Sequence, residues 1–189
     1  FEKDLAKISK IIEAQLLALL SDYDSVGGKI LNNNVNMRMT LGFSKSFEEI
    51  LRDSGYNQLA KDFSESNSDV INTLQKASKG TAIPLAFTKT DMATFKTLEK
   101  INFDDLFRIG KDASEVLLTD LRASILTGQR LSTIKADLIS KLDNKLKRYA
   151  NTYMTTARNQ LIQQAELLGV GNPKEVGWEY VGPRDNKNR

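Results

Sequence analysis

Residues 104–128 read DDLFRIGKDASEVLLTDLRASILTG, and their apolar side chains recur at helical spacing. The apolar stripe consists of Leu106, Ile109, Ala113, Val116, Leu117, Leu121 and Ile125. Steps of three and four residues predict an amphipathic helix over about 104–127. Asn102 to Asp104 predicts its N-terminal cap, and Gly128 stands where a C-terminal glycine belongs. Thr90-Asp91 predicts the start of a separate, earlier helix.

The same periodicity extends toward the N-terminus. Residues 1–21 and 56–78 carry apolar side chains at helical spacing, so each stretch predicts a helix. Between them, glycines and a run of asparagines predict a break over Asp22 to Asn36. Ser46-Phe47-Glu48-Glu49 fits a capping box, which predicts a short helix that begins at Ser46 and stops near Gly55.

The C-terminal third predicts two further helices and one strand. Ser132 or Thr133 is the predicted cap of the first helix, and the second covers about 145–168 and ends at Gly169. Residues 176–181, VGWEYV, alternate in polarity and are aromatic, which is typical of a strand. We therefore predict a mainly α fold, a multi-helix elongated or bundle-like arrangement with a short C-terminal β-strand or hairpin.

Charge is distributed unevenly over two predicted regions, an N-terminal helical region (1–80) and a second helical region (81–189). Residues 1–128 hold 16 Lys/Arg and 18 Asp/Glu, whereas residues 129–189 hold 11 Lys/Arg and 6 Asp/Glu. The C-terminal third is therefore the part expected to meet a polyanion.

The chain contains no cysteine and no histidine. Disulfides are thereby excluded, a structural zinc site is nearly excluded, and Ser-His-Asp or Cys-His systems have no base. The adjacent carboxylates Asp104-Asp105 and Glu48-Glu49 precede or begin apolar helical patterns, so we interpret them as helix N-terminal charges rather than catalytic groups. Gly27-Gly28-Lys29 and Gly110-Lys111 lack the spacing of a phosphate loop.

We therefore expect no enzyme activity from these residues, no catalytic or metal site and no cofactor. The longest apolar stretch falls well short of the roughly eighteen residues that a membrane span needs, so none is predicted. Because the chain opens at Phe1 rather than at a methionine, we expect a processed product or a piece of a longer protein.

Four basic residues precede or begin the last predicted helix: Lys141, Lys145, Lys147 and Arg148. Three of them, Lys141, Lys145 and Arg148, are spaced to share one helix face, which is the arrangement that phosphate neutralisation needs. An ordinary solvated helix face has the same pattern. Tyr149 and Tyr153, four residues apart, either stack on bases or pack against a neighbouring helix.

The C-terminal third also contains an ordered set of residues: Gly128, Ser132, Ala157, Arg158, Trp178, Asp185 and Arg189. Their order resembles the phage head morphogenesis family, the Mu F-like minor capsid proteins. The resemblance covers residues 128–189. Asn159-Gln160 stand where that family usually has Thr-Glu, and the family's Cys or His positions would follow the position of Arg189.

Elementary chemistry adds a physical interpretation of these residues. Arg158 can form paired hydrogen bonds with a carboxylate, and Asp185 is the natural partner if the predicted strand folds back on the helix. Alternatively, both are surface residues. Trp178 is expected to pack its indole ring on that helix.

The resemblance implies a structural minor head protein of a tailed phage, located in the virion at the capsid interior or portal vertex, and in the host cytoplasm during assembly. Its implied partners are the portal protein, the major capsid protein and double-stranded DNA, with a role in DNA ejection and an oligomer imposed by portal symmetry. Helical faces of residues 1–127 would dock on portal or capsid protein. The alternatives are a stand-alone basic helical DNA-binding module and an enzyme whose catalytic domain lies outside Phe1–Arg189.

Overall fold

The computed structural model describes residues 1–81 and 84–169, and over these residues the chain is mainly α and bundle-like, as predicted. The elements in chain order are α1 (Glu2–Ser21), β1 (Ser25–Val26), β2 (Lys29–Ile30), α2 (Asn34–Asp53), α3 (Tyr56–Ser78), α4 (Lys89–Thr127), α5 (Leu131–Leu142), a π-helical segment (Asp143–Tyr149) and α6 (Ala150–Gly169). The predicted strand at 176–181 lies outside the described residues.

Helices α1 and α3 have nearly the bounds that the apolar spacing predicted. Along α1, Leu5, Ile12, Leu16 and Leu20 are buried at steps of seven and four residues. Helix α3 begins directly after Gly55, which adopts a left-handed backbone with φ 88°. That conformation is accessible to glycine at little cost and lets the chain turn sharply from α2 into α3.

The predicted capping box at Ser46 is wrong, because α2 begins twelve residues earlier, at Asn34. Asn33 caps this helix, and its side-chain oxygen accepts a hydrogen bond from the backbone N–H of Asn36 at 2.8 Å. Ser46 lies inside the helix, beside the buried ring of Phe47. The asparagine run that predicted a turn contains the helix cap instead.

The predicted break between α1 and α2 contains a small antiparallel hairpin, β1–β2, with Gly27 and Gly28 at its turn. The hairpin holds the connection between α4 and α5. Ile30 donates its N–H to the Gln129 carbonyl at 2.9 Å, and Leu131 donates its N–H to the Gly28 carbonyl at 2.8 Å. These backbone hydrogen bonds join the hairpin to a connection that is distant from it in sequence.

Asn36, in the first turn of α2, fixes the hairpin to the bundle. Its side chain is fully buried. The amide nitrogen donates to the carbonyls of Asp24 (2.9 Å) and Leu31 (2.7 Å), and the amide oxygen accepts from the Asp24 N–H at 2.8 Å. A buried polar side chain satisfied in this way makes one loop conformation much more stable than others.

Helix α4 is a single helix of 39 residues, so the predicted cap at Asn102–Asp104 is wrong. The helix begins at Lys89, one residue before the predicted start. Thr88 and Asp91 form a capping box there, with the Asp91 carboxylate accepting the backbone N–H of Thr88 at 2.7 Å. Asn102 is buried inside the helix, where its side-chain oxygen lies 3.2 Å from the Tyr153 hydroxyl.

The chain from α5 to α6 runs without a break, whereas two separate helices were predicted. The buried side chains there are Ile134, Leu138, Leu142, Leu146, Ala150 and Met154, five successive steps of four residues. Each such step drifts by about 40° around an ideal α-helix, so the last of these side chains would leave the core. The wider turn of the π-helical segment takes up this drift and keeps the side chains on one face.

Helices α2, α3, α5 and α6 all pack against α4, and the buried side chains form two hydrophobic clusters. The large cluster draws on both predicted regions, with Phe47 from 1–80 and Leu117 from 81–189. The small cluster consists of Ile71, Phe95, Leu161 and Ala165.

We predict that Asn36→Ala lowers the free energy of unfolding by about 3 kcal/mol, because it removes three hydrogen bonds and leaves partly buried backbone groups of Asp24 and Leu31 without these partners. Urea unfolding followed by circular dichroism measures this loss. Asn34→Ala, at an exposed neighbouring position, is the control and should change stability by less than about 0.5 kcal/mol. Equal effects of the two substitutions would contradict the role of Asn36.

Candidate interaction surfaces

The structure divides the four basic residues that were predicted to contact DNA into two pairs. The first pair, Lys141 and Lys145, faces acidic side chains of α4. Lys141 forms an ion pair with Asp120. Lys145 borders a surface recess with Asp112, Glu115, Val116, Thr119 and Asp120. These carboxylates oppose the positive potential of both lysines, so neither is well placed to neutralise a phosphate.

The second pair, Lys147 and Arg148, is exposed on the π-helical segment. Neither side chain forms an ion pair with any described residue. Tyr149 follows directly and is 58% exposed. Leu146, which is fully buried, anchors the segment to the core. The π-helical segment thus presents two cations and an aromatic ring to solvent.

Tyr153 packs against α4, which is the second of the two interpretations offered by the sequence. Its hydroxyl donates to the Asp105 carboxylate at 2.9 Å, and the same carboxylate accepts a hydrogen bond from Arg108 at 2.7 Å. Burial, and then the hydrogen bond to Asp105, raises the pKa of the Tyr153 hydroxyl well above its ordinary value. This tyrosine therefore joins α6 to α4 and is not free to stack on a base.

Arg158, on α6, is half-buried against α3. Its Nη2 donates to the Ser66 hydroxyl at 2.7 Å, and its guanidinium carbon lies 5.3 Å from the centre of the Phe63 ring. Its buried Nε has no hydrogen-bond partner, and burial lowers the pKa of the guanidinium. No described carboxylate pairs with Arg158. Asp185, the predicted partner, lies outside the described residues.

The other residues that carry the family resemblance have different environments. Gly128 ends α4 with a left-handed backbone at φ 61°, as predicted. Ser132 and Thr133 lie inside the first turn of α5, so the prediction that one of them caps this helix is wrong. Arg130 holds the cap position and makes no side-chain capping bond. Trp178 and Arg189 lie outside the described residues.

Sequence reasoning missed a groove between α2 and α4, with a volume of about 310 Å³. It is lined by Lys45, Glu48, Glu49, Leu51, Arg52, Asn57, Phe107 and Lys111. Phe107 is 47% exposed at its edge, and the buried side-chain oxygen of Asn57 has no partner. The sequence did contain one sign of this groove, because Phe107 lies off the apolar stripe of α4 and is therefore an apolar side chain outside the core face.

Two further findings concern the described residues alone. Across residues 1–81 and 84–169, no cluster of three or more Asp or Glu side chains is arranged to hold a metal ion. None of the helices in these ranges combines the length and apolarity that crossing a membrane requires.

The raised pKa of Tyr153 makes a prediction about alkaline stability. Because the folded state holds the hydroxyl proton more tightly than the unfolded chain, this stabilisation is present below the ordinary pKa of 10.0 and is lost as the pH rises through the folded-state pKa. Tyr153→Phe should lower stability by about 1 kcal/mol near pH 7, and it should reduce the decline of stability that occurs as the pH rises above the ordinary tyrosine pKa of 10.0. Urea unfolding at several pH values tests this, and an unchanged decline would contradict it.

Comparisons with known proteins return no match: no family model, no curated protein and no solved structure is similar to this chain. What the protein does must therefore be inferred from its own residues and their arrangement.

Proposed function

We propose that this chain is a structural minor head protein of a tailed phage, which docks on portal or capsid protein and carries out no bond chemistry itself. The observation that carries this proposal is the ordered set of residues from Gly128 through Arg158 to Arg189. Gly128 ends the central helix, and Arg158 holds α6 against α3, so two members of the set have structural environments that fit architectural roles.

The docking surface in this proposal is the outer face of the bundle formed by residues 1–127. Several apolar side chains of α2 and α4 in this part of the chain are exposed: Val35, Met37, Leu41, Ile101, Phe107 and Leu126. Leu41 is 78% exposed and Leu126 is 60% exposed. Burying such side chains against a partner supplies most of the free energy of a stable protein interface.

The proposed role as a minor head protein also predicts where the protein resides and how many copies assemble. The protein would reside in the virion at the capsid interior or the portal vertex, after passing through the host cytoplasm during assembly. Its copy number would follow portal symmetry, because each copy docks on an equivalent portal surface. Contact with packaged DNA would come from the π-helical segment, which presents Lys147 and Arg148.

Co-purification of residues 1–189 with a candidate portal protein at moderate salt tests the proposal. We expect a stable complex, and Leu41→Glu should weaken it about tenfold, because a buried, unpaired carboxylate opposes docking. Thr73→Glu, at an exposed position on α3, is the matched control and should leave binding unchanged. Failure of the wild-type chain to associate with either portal or capsid protein would overturn the proposal.

A stand-alone DNA-binding module is the second candidate, and the exposed pair Lys147 and Arg148 favours it. We predict that Lys147→Gln with Arg148→Gln weakens binding to duplex DNA and lowers the slope of log affinity against log salt by about 2. Lys141→Gln with Lys145→Gln is the matched control, since both lysines already face carboxylates, and should have a smaller effect. Titrations at several salt concentrations measure both.

Two outcomes separate the candidates. Steeply salt-dependent DNA binding without portal association would favour the stand-alone module. Equal losses for the two double variants would contradict the distinction that the structure makes between the two pairs of cations.

A further inference from the structure

A layer of polar side chains separates the two hydrophobic clusters of the bundle. We call it the polar layer, and it consists of Ser64, Ser66, Asn67 and Ser68 on α3, Glu99 and Asn102 on α4, and Arg158 on α6. On one side lie Phe63, Leu106 and Ala157 of the large cluster. On the other side lie the four residues of the small cluster, Ile71, Phe95, Leu161 and Ala165.

Hydrogen bonds cross the polar layer from α3 to both neighbouring helices. Ser64 donates to the backbone carbonyl of Glu99, and Ser68 donates to the Glu99 carboxylate. On the opposite flank of α3, the Ser66 hydroxyl accepts from Arg158. These bonds set the register of the three helices but bury little apolar surface.

Three buried side-chain atoms of the polar layer have no hydrogen-bond partner. Asn67 is completely buried, and neither its side-chain oxygen nor its side-chain nitrogen has a hydrogen-bond partner. The Nε of Arg158 is likewise buried and unpaired. Unpaired polar groups destabilise the closed state, and water can pair with them as soon as the layer opens.

Beyond the polar layer, a short segment of chain closes the end of the bundle. We call this segment, residues 85–87, the strap. Leu85 donates its N–H to the Ser78 hydroxyl at 2.8 Å, and Ala86 donates its N–H to the Gly169 carbonyl at 3.2 Å. Phe87 packs edge-on against Phe95, with ring centres 5.1 Å apart. The strap therefore joins the ends of α3 and α6 and covers the small cluster.

We infer that the molecule opens at the polar layer, so that its distal unit unfolds while the main bundle stays folded. The distal unit comprises residues 69–78, 85–98 and 160–169. It is held by the small cluster and the strap, whereas the rest of the bundle is held by the much larger cluster around α4. Opening gives up the apolar contacts of the small cluster alone and exposes Asn67 and Arg158 to water, so the distal unit is a separate, less stable folding unit.

Opening at the polar layer is a property of the packing and does not depend on the proposed function. The distal unit could rearrange when a partner binds, while the main bundle, which carries the proposed docking face, stays folded.

Native-state hydrogen exchange on the full chain, followed by mass spectrometry at low denaturant concentrations, tests the inference. Amides of the distal unit should exchange at least a hundredfold faster, after correction for intrinsic rates, than those of residues 106–125, and with a shallower dependence on denaturant. Equal protection and equal denaturant dependence in both parts would overturn the inference.

Asn67→Leu tests the cause of the opening. It replaces two unpaired polar groups by an apolar side chain of similar size, so exchange in the distal unit should slow by about tenfold. Asn72→Leu makes the same change at an exposed position of α3 and should leave that exchange unaltered. Unchanged or faster exchange in the Asn67 variant would contradict the role of the polar layer.

Phe95→Ala provides an independent test should Asn67→Leu disturb folding. Loss of this ring should speed exchange in the distal unit by about tenfold or more and leave residues 106–125 unaffected. A uniform loss of protection across both parts would show that the bundle unfolds as one unit and would refute the inference.

Discussion

Helix α4 must bury one long apolar face, and the rest of the structure is arranged to cover it. Helices α2, α3, α5 and α6 each pack along part of its length. Gly110 lets Leu51 of α2 and Tyr56 of α3 approach closely, since a Cβ there would lie 3.0 Å from each side chain. The Tyr56 hydroxyl then donates to the Leu106 carbonyl at 2.9 Å, which holds the start of α3 against the centre of α4.

Most of the helices could be predicted because burial imposes a regular spacing on apolar residues. Helices α1 and α3 and the end of α4 at Gly128 followed from that spacing and from glycine chemistry. The wrong starts of α2 and α4 share one cause: polar residues inside these helices, Ser46 and Asn102, were interpreted as caps. The side chain of Asn102 contacts Tyr153, which is distant in sequence, and local patterns carry no information about such a partner.

The candidate surfaces were less predictable than the fold. Spacing alone placed Lys141, Lys145 and Arg148 on one helix face, but it took no account of the carboxylates that α4 brings to the two lysines. Apolar residues recur at every fourth position from Ile134 to Met154, and this spacing could have predicted the π-helical segment. The sequence drew attention to Arg158, but its contacts with Phe63 and Ser66 depend on the packing of α6 against α3 and could not be predicted.

The polar layer divides the bundle into two regions that differ in how much apolar surface they bury. The proposed docking face lies over the large cluster, where many buried side chains pack together. The distal unit lies beyond a layer that includes Asn67 with no partner, and it can rearrange at low cost. If the proposed docking role holds, this division would let a stable surface recognise a partner while a separate unit adapts to it.

The central claim is that α4 runs as one uninterrupted helix through both regions, and its length can be measured directly. The chain has no cysteine, so Thr97→Cys and Arg122→Cys, both exposed on α4, give a clean pair of sites for spin labels. Twenty-five helical residues separate them by about 38 Å along the axis. A narrow distance distribution near that value, measured by pulsed electron paramagnetic resonance, is the result expected here. A shorter or broad distribution, showing a break near Asn102 to Asp104, would contradict the account.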